Sequence, residues 1–64
     1  MVDLWQYAWD KFNELVLNDF SNERIDEAEM ERRLDRGEST SDPQDLLEYA
    51  KELGYKIKLP RSAK

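Results

Sequence analysis

The sequence contains no cysteine and no histidine, only two glycines and two prolines, and no aliphatic run longer than Leu15-Val16-Leu17. Each shortage excludes something. Without cysteine there are no disulfides of the kind that staple small secreted folds, and no thiolate metal site. Without histidine the chain lacks the commonest general base and the commonest transition-metal ligand. Two glycines cannot build a phosphate-cradling loop, and both stand where helices are expected to end. A three-residue aliphatic run is far too short to cross a bilayer, and Met1-Val2-Asp3-Leu4-Trp5 has neither the basic start nor the apolar stretch of a signal peptide. These absences predict a cytoplasmic protein that neither crosses nor is addressed through a membrane. They also predict no enzymatic activity, with no catalytic residue, no metal ligands and no cofactor. Lys11, the serines and the carboxylates would need deep burial to become reactive, and a chain of 64 residues offers little interior for that.

What is present is charge, and it is unevenly spread. Residues 1–50 carry fourteen acids against Lys11, Arg24, Arg32, Arg33 and Arg36, a net of −9, whereas residues 51–64 carry five bases against Glu52, a net of +4. An acidic body with a basic end repels nucleic acid at long range and attracts acidic partners at one end only.

The hydrophobic pattern predicts an all-α fold: a small three-helix domain over residues 1–59, with an extended or strand-like C-terminal segment and a mobile basic tail at 60–64. In the first helix, about residues 2–18, Trp5, Ala8, Trp9, Phe12, Leu15 and Val16 recur at three- and four-residue spacing. Leu4, Tyr7 and Leu17 widen that stripe, and Phe20 continues it past the helix end. A second helix, about 22–36, is expected to be capped by Ser21 or Asn22 and stopped by Gly37. Its Ile25, Ala28, Met30 and Leu34 fall on two nearly opposite sides, so its packing face is left open. The third helix, about 43–53, is the best punctuated: Asp42 caps it, Pro43 takes the first position, Asp45 suits the helix start, Leu46, Leu47, Ala50 and Leu53 share a side, and Gly54 stops it. Tyr55-Lys56-Ile57-Lys58-Leu59 then alternates apolar and basic residues until Pro60, which is strand periodicity. A lone strand needs its own helices to lie on, a second copy to pair with, or a partner's sheet edge.

Three sets of residues stand out as candidate sites. Asp19, Glu23, Glu27, Glu31 and Asp35 recur every fourth residue. On a continuous helix that step is about 6 Å, close to the spacing of successive phosphates, so the row could imitate DNA. The simpler account is a solvated face, because Arg24, Arg32 and Arg36 form a parallel row and Glu29–Arg33 is a favourable pair. Trp5, Trp9 and Phe12 are expected to form the core, with a ring shared at an interface as the alternative. Tyr55, Lys56, Ile57, Lys58 and Leu59 are the expected partner-binding residues. The same lysines beside Tyr55 form a minimal phosphate-and-stacking patch, which makes weak nucleic-acid binding through the tail the competing function.

Asp42-Pro43, Leu46, Ala50-Lys51 and Gly54-Tyr55 resemble the last helix of the leader segments of a nitrogen-fixation-associated family of bacterial peptide precursors, and Phe12 to Arg24 is similar to their first helix. The likeness covers roughly half the chain. It departs from the family in the charged stretch at residues 26–41, and it has neither the Gly-Gly processing site nor a following core peptide. What the resemblance implies is a bacterial chain read by a partner enzyme. The residues themselves point to a non-enzymatic protein–protein interaction module, a small bacterial or phage regulator, adaptor or inhibitor. Its partner is another protein, with pairing of two copies as a further form. The nucleic-acid-directed alternatives, an acidic DNA mimic or a weak binder through the tail, come second.

Overall fold

The computed structural model describes residues 3–59, and within them it is all-α: α1 spans Leu4–Ser21, α2 Glu27–Glu38 and α3 Pro43–Glu52, followed by an extended segment to Leu59. The mobile basic tail expected at 60–64 lies outside the described residues. All three helices start on an aspartate. Asp3 accepts from the Trp5 and Gln6 amides, Asp26 from Glu29 and Asp42 from Gln44, so each cap satisfies amides that the helix itself leaves without partners. Pro43 occupies the start of α3 as expected.

The α3 stop also follows the sequence. Gly54 has φ +90, its amide bonds to the Lys51 carbonyl, and the Tyr55 amide reaches back to Ala50. This paired pattern is the Schellman motif, whose left-handed position favours glycine. It turns Tyr55 back onto the helix it has just left.

Three expectations about the first two helices need correction. The helix expected over 2–18 runs on to Ser21 and ends in the same motif, with Arg24 bonding to the Asp19 carbonyl and Glu23 to Phe20. The left-handed position there is filled by Glu23, at φ 61, which gives no sequence signal of the glycine kind. Asn22 therefore closes α1 and does not open α2, whose cap is Asp26. Gly37 does not stop α2 either. It lies inside the helix and is buried, because the Phe12 ring occupies the space where a side chain would be: a Cβ there would stand 2.7 Å from Phe12 Cε2.

α1 is the central element and packs against both other helices. The buried core is Ala8, Phe12 and Val16 of α1 with Leu46 and Ala50 of α3. Phe12 is its hub. Trp9 stacks on it at 6.0 Å, Tyr49 leans against it at 5.7 Å, and Tyr55 meets it edge-on at 5.9 Å. Met30, Arg33, Leu34 and Gly37 form the inward stripe of α2, at the i, i+3, i+4, i+7 spacing of an amphipathic helix. The end of α2 is fixed by Trp5, whose indole N–H donates to Thr40 Oγ1 at 3.0 Å while that hydroxyl donates to the Gly37 carbonyl. Leu4, Leu17 and Phe20, assigned to the apolar stripe of α1 or its continuation, are exposed at its margins.

Candidate functional site

The C-terminal segment is extended but unpaired. Tyr55, Ile57 and Leu59 are half-buried against the core, while Lys56 and Lys58 point outward, so the alternation read from the sequence is the alternation of the structure. Of the three resting places open to such a segment, the single chain uses its own helices. It forms no strand ladder among the described residues, for lack of a second strand.

Four polar side chains from distant parts of the chain hold the segment down. The Tyr55 hydroxyl donates to Asp19 Oδ2 at 2.8 Å and accepts from Arg33 Nη1 at 2.8 Å. Arg33 also donates through Nε to Glu29 Oε2 at 2.8 Å, and the other Glu29 oxygen is bonded by Arg32. The Arg33 guanidinium stands 5.9 Å from the centre of the Tyr55 ring and 3.7 Å from Asp19 Oδ2. One tyrosine thus links α1, α2 and the segment after α3.

The electrostatics of this latch give it a pH signature. Hydrogen bonds from Arg33 and Arg32 outweigh partial desolvation and hold the Glu29 carboxyl below its ordinary 4.5. Burial, reinforced by the hydroxyl's bond to Asp19 and opposed by Arg33, pushes Tyr55 above its ordinary 10.0. For Arg33 burial acts to lower the pKa, and its bonds to Glu29 and Tyr55 overcome that and raise it. A depressed carboxylate contributes stability that is complete above its unfolded pKa and is lost as pH falls through the folded value. A raised tyrosine contributes stability that is complete below its unfolded pKa and is lost as pH rises past it. Thermal melts should therefore weaken below about pH 4.5 and above about pH 10. Glu29→Gln is expected to flatten the acid limb and Tyr55→Phe the alkaline one, with Tyr55→Phe also costing roughly 0.5–1.5 kcal/mol at neutral pH for each hydrogen bond lost. Limbs of unchanged slope in both variants would remove the latch from the stability of the domain.

The other candidate residues are distributed as follows. Asp19, Glu23, Glu27, Glu31 and Asp35 do not form one row. Asp19 is on α1 and faces inward to the latch, Glu23 sits in the left-handed turn, and only Glu27, Glu31 and Asp35 share the exposed side of α2. The reversal of the chain at Glu23 breaks the phosphate-like spacing. Phe12 is wholly buried, and Trp5 and Trp9 are partly covered and stacked at 5.7 Å, so the three aromatics serve the core with two edges reaching the surface.

Sequence reasoning missed the latch because its members, at positions 19, 29, 33 and 55, carry no local pattern that unites them. It could have found the true start of α2, since Asp26 and Glu29 stand at capping-box spacing. It also missed the grouping of four lysines. Lys56 and Lys58 line a groove on either side of the segment. One groove, about 300 Å³, is shared with Tyr7, Lys11, Glu14 and Leu15 of α1. The other, about 440 Å³, is shared with Leu47, Lys51, Gly54 and Tyr55. Among the described residues none of these lysines enters a salt bridge, whereas Arg32 and Arg33 both do.

No charged or polar residue is buried among the described residues, no three acidic side chains there converge as metal ligands would, and no helix there is long and apolar enough to cross a membrane. In comparison with known proteins, the chain matches no family model, no curated protein and no solved structure, so its likeness to peptide-precursor leader segments is one of local pattern.

Proposed function

We propose that this protein works by contact alone, as a non-enzymatic protein–protein interaction module of the regulator, adaptor or inhibitor kind, and that Tyr55–Leu59 is its contact element. The observation that carries this reading is the state of the segment's backbone. From Lys56 to Leu59 no N–H or C=O is hydrogen-bonded within the described residues, although the alternate side chains are firmly seated. Extended backbone that is held in place and left unpaired is what an incoming strand requires.

Mimicry of DNA has less support, because three aligned acids on one short helix are a weak copy of a phosphate strand. The exposed side of α2 fits better with steering, keeping acidic segments off this face before contact.

Site-specific photo-crosslinking in the producing cell tests the proposal. A photoreactive residue at Lys58 is expected to give a discrete adduct with another protein, whereas one at Glu31 or Asp10 should give none. Adducts concentrated at Glu31, or none at Lys58, would reject the segment as the contact element.

A further inference from the structure

We infer that the partner offers an extended acidic segment, alternating apolar residues with Asp or Glu, and that it adds as a strand along Lys56–Leu59 over the groove on the α3 side. This deepens the reading above and rests on it. The α3-side groove is floored by Leu47, Tyr55 and Ile57, and Lys51, Lys56 and Lys58 contribute its only charges. Gly54 lines the groove without adding a side chain to it. The α1-side groove is a poorer seat for acids, because Glu14 lines it and Lys11 lies 5.7 Å from the Tyr7 ring.

An added strand would find three complementary features together: unpaired backbone, an apolar floor for every second side chain, and ammonium groups for the residues between. The −9 of residues 1–50 repels an acidic segment from the rest of the surface, which restricts it to this edge. A second copy of the chain is a worse occupant. Antiparallel pairing centred on Ile57 sets Lys56 directly opposite Lys58 twice, and like charges in that position are unfavourable. Single-stranded nucleic acid is also worse served, because the Tyr55 ring packs against Phe12 and its hydroxyl is engaged, so it offers no free stacking platform.

The test uses the full chain with a short blocked peptide alternating glutamate and valine, followed by amide NMR shifts and hydrogen exchange. The expected result is saturable binding, with shifts and slowed exchange confined to Lys51 and Gly54–Leu59. Lys51→Glu with Lys58→Glu should weaken the affinity about tenfold or more, as one attractive cross-strand pair at Lys58 and one attractive charge on the α3 wall of the groove at Lys51 become repulsive. Both lysines are exposed and enter no salt bridge among the described residues, so the helical circular dichroism should not change. A peptide N-methylated along one edge should also lose binding, which tests the backbone ladder without altering the protein. Unchanged affinity in the charge-reversed variant, shifts centred on α1 or α2, or preference for a single-stranded oligonucleotide with a steep salt dependence would each overturn the inference. If the peptide fails while crosslinks at Lys58 persist, only the partner's chemistry is wrong. If the crosslinks fail too, the contact element itself is wrong.

Discussion

Phe12→Ala is expected to cost about 3–5 kcal/mol of stability at 25 °C. A domain of this length has about 3–10 kcal/mol of stability in total, so one substitution would remove a large share of it. The size of the effect follows from position. Phe12 is fully buried, and its ring touches every part of the fold: Trp9 on its own helix, Tyr49 on α3, Tyr55 on the C-terminal segment and the bare backbone of α2 at Gly37. A cavity at that point cannot close by the shift of one neighbour, because each neighbour is attached to a different element. Urea melts followed by tryptophan fluorescence and by helical circular dichroism should shift together, since the same ring joins all three helices. A variant that melts within about 0.5 kcal/mol of the parent, the scatter of ordinary surface substitutions, would show that the core is centred elsewhere.

How much of this could be read from the chain differs from helix to helix. α3 was legible at both ends because its signals are local: Asp42 and Pro43 act on the amides beside them, and Gly54 supplies the left-handed residue its stop requires. α1 was legible as the core helix, since its apolar spacing has one interpretation. Its end was not, because a glutamate occupies the position that glycine usually marks. The packing face of α2 could not be recovered by counting apolar residues, for two of its four inward positions are Arg33 and Gly37. Arg33 turns inward only because Asp19 and Tyr55 meet it there, and Gly37 only because Phe12 needs the space. Both reasons lie in other helices. The acidic row failed for a related cause: regular spacing in sequence becomes spacing in space only while the helix continues, and the helix stops at Ser21. In the candidate site, the inward and outward alternation of Tyr55–Leu59 was visible in the sequence. The grooves were not, since Leu47, Lys51 and Lys11 reach them only through the packing of the helices.

Gly37→Ala should destabilise the protein, contrary to the rule for glycine inside a helix. By propensity alone the exchange is worth about 1 kcal/mol in favour of alanine, and Gly37 has no left-handed backbone that would oppose it. Packing opposes it instead. The new methyl would lie 2.7 Å from Phe12 Cε2, 3.1 Å from Phe12 Cδ2 and 3.1 Å from Trp9 Cζ3. Those atoms cannot swing away as the tip of an exposed side chain could, for the Phe12 ring is enclosed by Trp9, Tyr49 and Tyr55. Forcing a methyl into a filled core costs about 1–3 kcal/mol, which outweighs the gain in propensity, and Gly37→Val should cost more. The decisive measurement is a double-mutant cycle with Phe12→Leu. Leucine lacks the ring edge that meets α2, so in that background Gly37→Ala should lose its penalty and recover the ordinary helical gain. A sign that reverses between the two backgrounds would identify the ring–backbone contact as the reason for glycine at this position. A stabilising Gly37→Ala in the parent protein would mean that α2 stands further from α1 than 2.7 Å allows, and with it would go the reason Gly37 fails to stop the helix.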